Sequence, residues 1–122
     1  MKLIYVASPY AGNIDRNIVF AKDACRFVMN EGHAFFAPHL LYPHVLDDSD
    51  PSDRTFAITM GKNFLAKCDE LWVFGETISA GMMDEINEAK RCHKPIRYVS
   101  KQEMEVIEGP LAKGHSLCAM RI

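Results

Sequence analysis

Ser79, Gly81 and Glu85 are the residues of this sequence best placed to do chemistry. Each lies on the first turns of an expected helix that directly follows an expected strand. On that helix Met82, Ile86 and Ala89 form the core-facing arc, at about 100° per residue. Glu85 falls at the edge of the arc, while Asp84, Asn87, Glu88, Lys90 and Arg91 point away from it. One carboxylate is therefore turned toward the protein, near the end where ligands sit in an open parallel sheet. Gly81, one turn earlier, leaves backbone room for a ligand to approach, and the helix N-terminus favours anions. The alternative is a first-turn acid that offsets the helix dipole, half covered by its neighbours. The spacing nominates a site without naming a reaction.

The elements that position these residues are legible around them. Leu71-Trp72-Val73-Phe74 is apolar at every position, as a strand buried on both faces of a parallel sheet must be, and Gly75 ends it. Ser79 is a good N-cap, Ile78 can staple to Met83, and the helix runs to about Cys92 before Pro95. Lys2 to Ala7 reads as the first strand. It breaks at Ser8-Pro9-Tyr10-Ala11-Gly12-Asn13, a small-residue loop. The following helix is capped by Asn13 or Asp15, buries Ile18, Ala21, Cys25 and Val28, and stops at Gly32. That loop lacks both the dinucleotide glycine pattern and a Gly-Lys-Ser/Thr ending, so neither chemistry is supported.

Ala34 to Ala37 reads as a short second strand. Pro38 to Pro51 then forms the longest irregular segment, mixing apolar residues with His39, Tyr42, His44, Asp47 and Asp48. Such a loop either closes over a flat aromatic ligand or serves as an ordered surface cover. Ser52 or Asp53 caps the next helix, whose buried side reads Ala57, Met60, Phe64 and Cys68. Arg54 in its first turn faces either a ligand anion or a loop aspartate. Ile96 to Val99 is a fourth strand, and Ser100 with Glu103 forms a capping box for a last helix from Lys101 to about Glu108. Gly109-Pro110 breaks it. Leu111, Leu117 and Met120 leave the tail apolar enough to dock, for example on a neighbouring subunit.

Strands alternating with helices predict an α/β three-layer sandwich with a flavodoxin-like parallel sheet, order 2-1-3-4. The switch point then lies between strands one and three, where Ser8, Pro9 and Tyr10 face the segment from Gly75 to Glu85. The 122 residues suit a single domain, 1–122. The formal charge of -2 gives no footprint for a nucleic acid polymer or an anionic membrane. No apolar run reaches the length of a membrane span, and no signal-peptide pattern opens the chain. Cys25, Cys68, Cys92 and Cys118 are widely spaced, which fits a reduced, cytoplasmic protein. The five histidines show no zinc-ligand spacing, so no metal is expected.

Three stretches carry a family resemblance: Ile4-Tyr5-Val6-Ala7-Ser8-Pro9-Tyr10, Cys68-Asp69-Glu70-Leu71-Trp72-Val73, and Ser79-x-Gly81-Met82-x-x-Glu85-x-x-x-Ala89. On them the chain resembles the nucleoside 2-deoxyribosyltransferase superfamily, more narrowly its short bacterial and phage members. The resemblance implies that Glu85 is a nucleophile toward the anomeric carbon of a sugar and that Tyr5 orients it. Ser79, where much of the superfamily has aspartate, is similar to the branch that hydrolyses deoxynucleoside 5'-monophosphates and implies a phosphate contact. The family also carries an aspartate in the second helix that assists the departing base, and this chain has Gly61 at that spacing. Base protonation would then fall to His39, His44 or Asp47, or the site is inactive.

The resemblance thus implies an N-glycosidase or deoxyribosyltransferase acting on a small-molecule nucleoside or nucleotide. No cofactor is implied, and a homodimer or larger homo-oligomer is. A non-catalytic sensor or sponge for nucleotide derivatives is the alternative, and cleavage of a nicotinamide dinucleotide by the same glutamate is a further one.

Overall fold

The computed structural model describes residues 1–107 of the chain. The expected tail contacts of Leu111, Leu117 and Met120, and the break at Gly109-Pro110, lie outside the described residues. The order of elements is β1 (Leu3–Ala7), α1 (Ile14–Asn30), β2 (Ala34–Phe36), α2 (Pro38–Leu41), a 3₁₀ turn (Tyr42–His44), α3 (Pro51–Lys67), β3 (Glu70–Phe74), α4 (Ala80–Arg91), β4 (Ile96–Val99) and α5 (Lys101–Ile107). The four strands form one parallel sheet in the order β2-β1-β3-β4, with Tyr5 opposite Phe36 on one side and Leu71 on the other. This is the flavodoxin-like order expected from the sequence.

Strand periodicity divides the core into two layers. Ile4, Val6, Trp72 and Phe74 face α1 and α5, where they meet Ala24, Phe27, Val28 and Met104. Tyr5, Ala7, Leu71 and Val73 face α3 and α4, where they meet Leu65, Met82, Ile86 and Ala89. The single residue that separates Ile4 from Tyr5 therefore sends the tyrosine to the layer that carries Glu85. Asp69 ties β1 to β3 at their N-terminal ends: its amide donates to the Leu3 carbonyl, and its carboxylate accepts from the Leu3 amide, both at 2.7 Å.

Several helix caps follow the sequence. Asn13 accepts from the Arg16 amide, Ser79 from Met82, and Ser100 from Glu103. Three expectations are corrected. The stretch after β2 is irregular only from Val45 to Asp50: Pro38 opens α2 and Pro43 sits inside the 3₁₀ turn, each in a first-turn position that lacks a backbone bond anyway. The cap of α3 is Asp50, which accepts from the Ser52 amide at 2.9 Å and is followed by Pro51 at the first helical position, rather than Ser52 or Asp53. Of the expected inner side of α3, Cys68 is buried and Ala57 and Met60 are half-buried, and only Phe64 departs from it. Leu65 is its buried residue, while Phe64 stays 39% exposed and stacks flat on Phe36.

Candidate active site

At the carboxyl ends of β1 and β3, α3 and α4 diverge and leave a cavity of about 640 Å³. Its inner wall carries Tyr5, Gly61, Leu65 and Glu85. Ser79, Ala80 and Gly81 bring in the N-terminus of α4, and α3 adds Arg54 and Lys62. Tyr10, Pro38, His39, Tyr42 and Asp48 form the cover. A smaller cavity of about 150 Å³ adjoins it beneath the segment after α2 and shares Tyr10, His39, Tyr42, Asp48 and Arg54.

Glu85 is partly buried, and its carboxyl is removed from water at the inner end of the cavity. That desolvation, helped slightly by the charge of Asp84, raises its pKa from 4.5 to about 7. The Tyr5 hydroxyl works against this rise, because it lies within hydrogen-bonding reach and favours the ionised carboxylate. Burial and the negative charge of Glu85 together push the Tyr5 phenol far up, so it remains protonated and a donor. Gly61 is what lets the phenol stand there: a Cβ at this position would come 3.3 Å from the Tyr5 hydroxyl.

The expected site residues divide into three groups. Tyr5, Tyr10, His39, Ser79, Gly81 and Glu85 all line the large cavity. Ser8 and Pro9 do not. Ser8 is buried, and its backbone carbonyl accepts from the His39 imidazole, so it positions the ring from behind. Burial lowers the pKa of His39, whose ring stacks on Tyr10 at 4.9 Å with 25° between planes. The third group is set apart from Glu85. Asp47 lines only the smaller cavity, its carboxylate taken up by the Ser49 hydroxyl at 2.7 Å and amide at 3.0 Å. His44 lines neither cavity, because the 3₁₀ turn sends it away from the side that carries Tyr42. Lys62 is a cavity residue without a sequence signal, and the sequence marks Tyr42 only as part of a loop that closes over a flat ligand. Neither belongs to a motif, and the packing of α3 and of the 3₁₀ turn is what sets them in the wall. Among the described residues no cluster of His, Cys, Asp or Glu side chains is arranged to hold a metal ion, and no helix is long and apolar enough to cross a membrane.

This sheet order is shared with 2-deoxyribosyltransferases of known structure. The enzyme of that name from Bacillus psychrosaccharolyticus superposes with a TM-score of 0.68 at 20% identity, over 80% of this chain and 72% of that one. The 2-deoxyribosyltransferase of Leishmania mexicana gives 0.57 at 16% identity, over 82% and 65%. A CMP N-glycosidase, BcmB of Clostridium botulinum, gives 0.53 at 16% identity, over 95% and 82%. Residues 2–99 match the model of a domain of unknown function, DUF7768, and the chain belongs to that family. No curated protein matches it in sequence.

Proposed function

We propose that this protein is an N-glycosidase or deoxyribosyltransferase acting on deoxynucleosides or deoxynucleoside 5'-monophosphates, through a covalent glycosyl-enzyme on Glu85. The observation that carries this reading is the Glu85 carboxylate at the inner end of a nucleoside-sized cavity, held by the Tyr5 hydroxyl. A Glu85 oxygen bonds to C1', the C1'–N bond breaks, and its electron pair leaves with the base. Water or a second base then displaces the carboxylate from C1'. Fold likeness to two transferases and an N-glycosidase supports glycosyl chemistry in general.

The N-terminus of α4 at Ser79 to Gly81 and the cations Arg54 and Lys62 suit a 5'-phosphate. The stacked Tyr10 and His39 offer a flat wall for a base. Among the described residues the three cysteines are free thiols, which supports a cytoplasmic setting. Phe56 and Ile58, each 60% exposed on α3, support a homodimer or larger assembly, measurable by light scattering.

Incubation with deoxynucleosides, their 5'-monophosphates and a nicotinamide dinucleotide, followed by chromatography, is expected to show release of free base from one of the first two groups. Glu85→Gln should abolish the release while the chain stays folded. Retained turnover in that variant would remove Glu85 from the role. Gly61, which provides no acid, favours a second reading: a non-catalytic nucleotide-derivative sensor or sponge. Tight nucleotide binding without turnover is its signature.

A further inference from the structure

A nucleophile by itself cleaves a C1'–N bond poorly, because the departing nitrogen carries away an electron pair that needs a hydrogen bond or a proton. Few groups in the cavity are available to give one. Gly61 has no side chain, and any side chain there would press on the hydroxyl that steadies Glu85. Tyr5 is engaged with Glu85. His39 directs its N–H at the Ser8 carbonyl, and a neutral imidazole has only an acceptor on its other nitrogen. Glu88 lines the cavity but is paired with Arg91 at 2.6 Å and held ionised by it. His44 and Asp47 lie elsewhere, as described.

Tyr42 is different. Its hydroxyl is buried and has no hydrogen-bond partner, and among the described residues it is the one buried side-chain nitrogen or oxygen in that condition. Leaving such a group unpaired costs about 1–3 kcal/mol, which a bound ligand can remove. The ring is held edge-on by Phe36 at 6.1 Å, and Phe36 is itself clamped flat against Phe64 at 4.0 Å. Tyr42 is thus steadied by stacked rings and lines both cavities. Glu85 acts on it through charge but makes no hydrogen bond to it, and both residues line the large cavity. Burial and that charge raise the phenol above its ordinary value of 10.0, which keeps it a donor.

We propose that the Tyr42 hydroxyl hydrogen-bonds the base nitrogen as it leaves C1', supplying from the segment after β2 what position 61 of α3 does not. The proposal rests on the glycosidase reading above. Glu85 forms its bond to C1', the electron pair of the C1'–N bond moves to the base, and the Tyr42 O–H stabilises it there. In hydrolysis one water completes the balance: its proton goes to the base and its hydroxyl to C1' as the glycosyl ester is broken.

Tyr42→Phe removes only the oxygen and tests this. The substrates are pairs with one sugar and bases of different leaving ability, such as guanine against N7-methylguanine, or uracil against 5-fluorouracil. With the poorer leaving group kcat is expected to fall by ~10–100-fold, toward the lower end of general-acid effects. With the better one the loss should stay within about 3-fold, and KM should move little in both. Thermal stability should hold or rise, because an unpaired buried hydroxyl is gone. Equal losses on both members of a pair would show a merely structural role and overturn the proposal, as would full activity in the variant. Failure of the parent protein to release base from any substrate is a distinct result, and it would remove the glycosidase reading itself.

Discussion

The raised pKa of Glu85 makes a prediction about stability that needs no substrate. In the unfolded chain this carboxyl titrates near 4.5, and in the folded protein near 7. Between those values the folded state holds a proton that the unfolded state has lost, so stability falls as pH rises through that window and levels off above it. A difference of about 2.5 pKa units at about 1.4 kcal/mol each amounts to ~3 kcal/mol. Glu85→Gln keeps the shape and a carbonyl that accepts from Tyr5, but it carries no charge to desolvate. The variant should match the parent at pH 4 and exceed it by up to ~3 kcal/mol at pH 8.5, a gap of about 10 °C in Tm for a domain of this size. Thermal unfolding of the two proteins at both pH values measures it, and the difference between them cancels every group they share. A gap that is the same at pH 4 and pH 8.5 would refute the reasoning, because it would mean that the carboxylate is fully hydrated. The nucleophile would then lose its inner position.

Two further perturbations address the same triangle of Glu85, Tyr5 and Gly61. Attack requires ionised Glu85, so kcat/KM should rise with pH and level off above about 7. Tyr5→Phe removes the hydrogen bond that holds this pKa down and should move the inflection upward; an unmoved inflection in the pH–rate profile would deny the contact. Gly61→Ala places a methyl 3.3 Å from the Tyr5 hydroxyl, which must shift by a few tenths of an ångström. Turnover should fall by roughly 10-fold with KM little changed, while helix propensity favours alanine by up to ~1 kcal/mol. Lower activity with equal or higher Tm is therefore the expected pattern, and unchanged turnover would show that the phenol is free to move.

Acyl-like ester formation on a carboxylate can end in hydrolysis or in transfer, and the structures that share this fold include enzymes named for each. The difference lies in what reaches C1' after the base has gone.

The sequence by itself determined the sheet and one side of the site. Continuous apolar runs at Ile4 to Ala7 and Leu71 to Phe74 allow only a doubly covered parallel sheet, and right-handed crossovers then order the strands. Ser79 and the spacing to Glu85 set the start and phase of α4, because caps and helical period are local physics. Tertiary structure decided the rest. Helix α3 is apolar around much of its girth, with Phe56, Ile58 and Phe64 exposed, so no period in its sequence marks Leu65 as the residue that meets the sheet. His39, His44 and Asp47 lie close in sequence and look equivalent there. The prolines at 38 and 43 instead wind the segment into two short turns, which direct His39 to the cavity, leave His44 outside it and give Asp47 to Ser49. The unpaired hydroxyl of Tyr42 has no sequence signature at all, since being unpaired is a property of neighbours from β2, α3 and α4 that only the folded chain brings together.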